Sequence, residues 1–128
     1  MRYLALDVGD RTIGLAVGED AFGLARPLRT IRRRGVAADL GSLREIIAKE
    51  DVGAIVIGLP LDTRGEVGHQ AKRVRTFADS ARTLGLPLEL VDERFTTAEA
   101  ARRGADDLDA GAAVVLLEDF FSERARRR

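Results

Sequence analysis

The chain has no cysteine and a single histidine, His69, among its 128 residues. Disulfides and thiolate metal sites are excluded, and no cluster of histidines can hold a metal within one chain. Any resident metal must be held mostly by carboxylate oxygens, which selects a hard cation such as magnesium or manganese over structural zinc. Long apolar runs are missing as well. The opening MRYLALDVGD meets a charge too soon for a signal peptide or a membrane span. A cytoplasmic chain with no membrane partner is expected. Excess charge of either sign is also absent, since 21 basic residues balance 21 acidic ones. That balance argues against strong indiscriminate attraction to nucleic acid.

What is present fits one domain, residues 1–128, with a real core: 45% of residues are hydrophobic and 33% charged. Nineteen of the 21 basic residues are arginines. They gather in RPLRTIRRR (26–34) and in RARRR (124–128). The planar guanidinium fork suits phosphate, so these runs are either local basic patches or solvated surface.

Hydrophobic periodicity sets the order of elements. Strict alternation over residues 2–8 puts Tyr3, Ala5 and Asp7 on one face of a strand and Leu4, Leu6 and Val8 on the other. Gly9-Asp10-Arg11 reads as a tight turn and TIGLAVG (12–18) as the returning strand. LARPLRTIRR gives a third strand, with Pro27 best placed on an edge. Helical spacing then takes over at Val36, Leu40, Leu43 and Ile47. AIVIGLP (54–60) is a buried parallel strand, and a helix follows with Val74, Phe77, Ala78 and Ala81 on its inner stripe and Gly85 as its stop. LELVDE (88–93) is the fifth strand. Thr96 and Glu99 form a capping box for a short helix, and DAGAAVVLLEDFF (109–121) is a largely buried one. The order predicts an α/β fold: a five-stranded mixed sheet, three antiparallel strands then two parallel, with helices on both faces.

Asp7 is an awkward residue for a strand, because aspartate is a poor strand former and a buried carboxylate needs a partner. Glu93 ends the last strand, and Asp109 opens the final helix. All three converge at one sheet edge if the first strand lies between the fourth strand and the other two. Each has a second reading on spacing alone. Asp7 suits an Asx turn, Glu93 a surface pair with Arg94, and Asp109 an N-cap. Jointly, three converging carboxylates repel one another, and divalent cations relieve that repulsion. Two such ions about 4 Å apart serve phosphodiester hydrolysis without histidine or cysteine. The metal ligands and catalytic residues on this reading are Asp7, Glu93 and Asp109. Gly58, like Gly9 and Gly14, allows close approach of a phosphate or of backbone. Arg11 and Arg94 either steer phosphate or pair with the neighbouring acids. Arg64 lies in the polar loop LDTRGEVGHQ (61–70), a flap or substrate contact, where His69 reads as a solvated helix-start residue rather than a general base.

With these residues in view, the sequence resembles the YqgF/RuvX family. The matching blocks are LALDVGDRTIGLAV (4–17), IVIGLPLDTRGEVGHQAKRVRTFA (55–78), VDERFTTAEA (91–100) and DAGAAVVLLEDFF (109–121). The resemblance implies a ribonuclease H-like fold, a nuclease related to Holliday-junction resolvases, and pre-16S ribosomal RNA as substrate. It carries the catalytic acids onto Asp7, Glu93 and Asp109, the last followed, after two residues, by Ala112-Ala113 as in the family pattern. RRGADD, before Asp109, has fewer lysines and glycines than the family's loop there. Asp106 and Asp107 compete with Asp109, and Asp92 or Asp106 could be a fourth acid.

The expected activity is metal-dependent cleavage of nucleic acid, using Mg2+ or Mn2+, with trimming of the 5′ end of pre-16S rRNA on a pre-ribosomal particle. The alternative is resolution of branched DNA, which needs two coordinated cuts and hence a homodimer rather than a monomer. DVGDRTIGLAV also resembles the phosphate hairpin of the actin, sugar kinase and Hsp70 class, but those proteins use two such domains and this chain has length for one.

Overall fold

The computed structural model describes residues 1–60, 68–92 and 108–127. Strand β1 spans Arg2–Val8, β2 Thr12–Glu19 and β3 Leu24–Arg32. Helix α1 (Val36–Glu50) leads to β4 (Ala54–Leu59), and α2 (His69–Ala81) leads through a 3-10 turn at Arg82–Leu84 to β5 (Leu88–Asp92). Helix α3 runs from Leu108 to Arg126. The short capping-box helix expected at 96–104 lies outside the described residues.

The strands form one sheet in the order β3-β2-β1-β4-β5. β1 pairs antiparallel with β2 and parallel with β4, and β5 continues the parallel half. The expected central position of the first strand is therefore the observed one. Pro27 lies on the outer strand β3, where the β2–β3 register shifts between Leu15 and Ala16. An edge strand with an irregularity is where a residue lacking an N–H does least harm to a ladder.

The alternation of β1 divides the core in two. Leu4, Leu6 and Val8 join Ile13, Leu15, Ile55 and Ile57 beneath α1 and α2, which contribute Leu40, Leu43, Val74 and Phe77. Tyr3 and Ala5 belong to a second cluster with Ala16, Val56 and α3's Ala113, Leu116, Leu117, Phe120 and Phe121. Each fully buried leucine or phenylalanine contributes about 1.5–3 kcal/mol, so both faces matter to stability.

Helix ends follow local chemistry. Asp51 closes α1 in the left-handed conformation at φ 56°, and Gly85 closes the 3-10 turn at φ 80°. Helix α3 extends five residues past the expected end at Phe121. Glu123 explains the extension, since it pairs with Arg126 at 2.6 Å and Arg127 at 3.4 Å, three and four residues on. Half of the basic RARRR run is thus spent on its own helix.

Candidate active site

Asp7 is the penultimate residue of β1, half-buried, and stands opposite Gly14 in the β1–β2 ladder. It shares the strand face of Tyr3 and Ala5, the face that α3 covers. On the other side Leu6 pairs with Ile57 and Gly58 pairs with Val91, so Gly58 lies beside Asp7 in the parallel half. The one carboxylate at this sheet edge on β1 is therefore flanked by two residues without side chains. Both glycines are buried, so the backbone on either side of Asp7 is closely packed.

Helix α3 runs antiparallel to β1 across this face. Near its C-terminal end, the rings of Phe120 and Phe121 lie 5.4 and 5.5 Å from that of Tyr3. Arg124 fastens the contact, donating from Nη1 to the Tyr3 hydroxyl at 2.9 Å while its guanidinium stacks 5.3 Å from the Phe120 ring. Going back from Phe120 to position 109 covers about 16 Å of helix, and going from Tyr3 to Asp7 covers about 13 Å of strand. The first turn of α3 accordingly lies over the end of β1 that carries Asp7. Position 109 is one helical turn before Ala113, which packs on the sheet.

The side chain of Asp109 lies outside the described residues, as do Glu93, Arg94, Arg64, Asp106 and Asp107. Among the described residues no three His, Cys, Asp or Glu side chains gather as a metal site. Asp92 is described, and it is exposed and in register with Leu59, a residue of the α1/α2 core. Pleat alternation thus puts it on the sheet face opposite Asp7, so it is poorly placed as a fourth acid. His69 is exposed at the start of α2, as expected of a solvated helix-start residue. Arg11 is exposed in the β1–β2 turn.

One arrangement was not visible in the sequence. Arg33, read there as part of a basic run, turns inward. Its Nε donates to Asp39 Oδ2 at 3.1 Å, its Nη1 donates to the Gly9 carbonyl at 3.1 Å, and its guanidinium lies 5.0 Å from the Phe77 ring. Asp39 is 1% exposed and also accepts from the Arg34 N–H at 2.9 Å. The turn that follows Asp7 is thereby tied to both α1 and α2. The Arg33 N–H donates to the Arg11 carbonyl at 2.8 Å, and Arg73 of α2 pairs with Asp10 at 3.1 Å. The only available signal was an aspartate in the first turn of α1, six residues after an arginine. A strand-end arginine gives no hint of which way it points.

Known proteins match this chain along nearly all its length. The family model RuvX, described as Holliday junction resolvase, matches residues 1–123. A protein of Anaeromyxobacter sp. (strain Fw109-5) named "Putative pre-16S rRNA nuclease" is 42% identical, over 97% of this chain and 98% of that protein. One of the same name from Thermus thermophilus is 40% identical, over 95% and 98%. Among solved structures, T. thermophilus RuvC in complex with a Holliday junction substrate is 16% identical with a TM-score of 0.64, covering 98% of this chain and 96% of that one. The sheet order and the helices on both faces are those of a ribonuclease H-like fold. On the full-length family match and relatives at this identity, the chain belongs to the RuvX family.

Proposed function

We propose that this chain is a single-domain, metal-dependent nuclease of the cytoplasm that hydrolyses phosphodiester bonds, trimming the 5′ end of pre-16S rRNA during ribosome maturation. The observation that carries the reading is Asp7: a carboxylate at the C-terminal edge of the central strand, between Gly14 and Gly58, beneath the first turn of α3. Glu93, the next residue in sequence after the end of β5, is the proposed second acid. Asp109, in the first turn of α3, is the proposed third acid.

Such a donor set is all oxygen and anionic, which fits magnesium or manganese. Asp7, Glu93 and Asp109 would hold the ions, which when bound polarise the phosphate and activate a water for attack on phosphorus. Asp7 is held by a strand buried on both faces, so its carboxylate is oriented before substrate arrives. Gly58, beside Asp7 at the end of β4, is the proposed point of close approach for the substrate backbone. Arg11, with Arg64 and Arg94, neutralises phosphate oxygens next to the cleaved bond. The names of the relatives support an RNA substrate. Among the described residues no helix is long and apolar enough to cross a membrane, which is compatible with a cytoplasmic site of action.

The test is a cleavage panel of RNA and DNA strands with each metal, run on the parent protein and on Asp7→Asn. Loss of cleavage in the variant with an unchanged or higher melting temperature is expected, since a repelling charge has gone. Metal-dependent cleavage that survives Asp7→Asn overturns the assignment. A second reading, resolution of branched DNA, is favoured by the family description and by the fold shared with RuvC. It requires a dimer, so mass in solution and cleavage of a four-way junction against single-stranded RNA decide between the two.

A further inference from the structure

We infer that the chain forms a two-fold dimer in which β5 of one copy adds antiparallel to β5 of another, joining two five-stranded sheets into one with both Asp7 edges on the same face. The interface goes beyond the nuclease reading, and only its consequence for cleavage rests on that reading.

The two edges of the sheet differ. At β3 the Ala25 N–H donates to Glu118 Oε2 of α3 at 3.0 Å, Pro27 has no N–H, and the register is irregular beside it. These features close an edge to further strands. β5 contains no proline and pairs with β4 in unbroken register. The Ile55 N–H donates to the Pro87 carbonyl at 2.8 Å, so Glu89 and Val91 also turn their backbone groups toward β4. Leu88 and Leu90 turn theirs outward, and no described strand lies beyond them. Leu84, Leu86, Leu88 and Leu90 are only partly buried against the α1/α2 core, so apolar surface borders the same edge.

A second copy fits this edge because the edge complements itself. LELVD pairs antiparallel with its own copy about a two-fold axis at Leu90. Leu90 then meets Leu90, Glu89 meets Val91 and Leu88 meets Asp92, with no like charges opposite one another. Helix α2 supplies a second match. Phe77 and Arg73 contact Arg33 and Asp10, so that flank of α2 faces the β1–β2 turn. Helical spacing puts Arg75 and Asp79 on the other flank, toward β5. Ala81 and Leu88 lie at the same end of the sheet, and α2 runs antiparallel to β5. About 6 Å in from that end are residue 77 of the helix and Leu90 of the strand. The axis at Leu90 therefore passes midway between positions 75 and 79 and sets Arg75 of each copy against Asp79 of the other. Arg75 is exposed and pairs with no described carboxylate, while Asp79 has the exposed Arg82 at 3.8 Å.

An axis that pairs strands antiparallel is normal to the sheet, so α3 and Asp7 of both copies stay on one face. Leu6, Ile57 and Leu90 share a row, which puts the two β1 strands five spacings, about 24 Å, apart. Asp7 follows Leu6 by one residue in each copy, and the two cleavage edges stand about 25 Å from each other. That pair suits a substrate with two phosphodiester targets, as branched DNA has, and cleavage of a four-way junction decides whether it is used.

Sedimentation velocity from about 5 to about 300 µM measures the association, a range chosen for a small interface. The parent is expected to dimerise within it. R75E sets like charges against Asp79 and should weaken the dimer about tenfold or more, and D79R should do the same against Arg75. R75D/D79R restores the attraction with signs exchanged and should return to within about threefold of the parent. Melting temperatures verify that each variant is folded. The lack of cysteine allows a second readout. Leu90→Cys should form a covalent dimer under copper–phenanthroline oxidation, since residues opposite one another across an antiparallel pair lie within disulfide reach. Ala21→Cys, exposed in the β2–β3 turn, should not. A parent that stays monomeric overturns the inference. So does a dimer that R75D/D79R fails to restore, or one that Leu90→Cys does not cross-link. Failure of the nuclease reading shows separately, in the cleavage of Asp7→Asn, because mass and cross-linking need no activity.

Discussion

Asp7 and Gly14 are direct partners across the β1–β2 ladder, so the residue nearest the carboxylate on its own face has nothing but a hydrogen to offer. Replacing that hydrogen tests whether the space is used. Gly14→Val suits strand geometry but adds a branched side chain beside Asp7. Gly14 is buried on the face that α3 covers, so cleavage is expected to fall about tenfold or more together with a lower melting temperature, circular dichroism and gel filtration remaining those of a folded protein. Full activity in a folded Gly14→Val protein would mean that the space beside Asp7 is not used.

Metal binding has a readout independent of catalysis. A cation that binds only the folded protein raises its stability by about 2.7 kcal/mol at a hundredfold excess over Kd. Manganese or magnesium is therefore expected to raise the parent's melting temperature by several degrees, and Asp7→Asn should lose most of that rise. Differential scanning fluorimetry across a metal titration measures it.

The Arg33–Asp39 pair predicts a large structural effect. Asp39→Ala leaves the Arg33 Nε–H and the Arg34 N–H without their acceptor in a nearly closed site. Breaking a buried pair from one side costs about 3 kcal/mol. Urea denaturation should detect this as a lower midpoint with an unchanged slope. Arg33→Met/Asp39→Leu is expected to recover part of the loss in stability while leaving the Gly9 carbonyl without its donor, so its cleavage should stay impaired.

Two glycines predict opposite signs for one and the same substitution. A methyl group at Gly18 would meet the Leu24 carbonyl oxygen at 2.5 Å, with the Ala25 Cα and the Phe121 ring at 3.1 Å. At Gly41, inside α1, nothing lies within 4 Å. Gly18→Ala is expected to destabilise by about 2 kcal/mol through overpacking against backbone. Gly41→Ala should stabilise by about 0.5–1 kcal/mol through helix propensity. Thermal denaturation of the pair checks both.

The sheet was legible because its signals are local and repeated. The alternation of residues 2–8 separates Leu4, Leu6 and Val8 from Tyr3, Ala5 and Asp7, and the two resulting cores are those the structure has. The oddity of an aspartate in that pattern pointed to the edge of interest. Three things were not legible. The inward turn of Arg33 depends on Asp39 and Phe77, which meet it only in the tertiary fold. The length of α3 depends on Glu123, whose pairing with later arginines extends a helix that hydrophobicity alone would stop at Phe121. The face of Asp92 depends on strand register, which the sequence of β5 does not specify by itself.

The clamp of Arg124 on Tyr3 and Phe120 also has a mechanical side. From that clamp to position 109, α3 is a stiff rod of about 22 Å. On the proposed site, this contact and the packing of Ala113, Leu116 and Leu117 against the sheet together fix where the first turn of α3 stands.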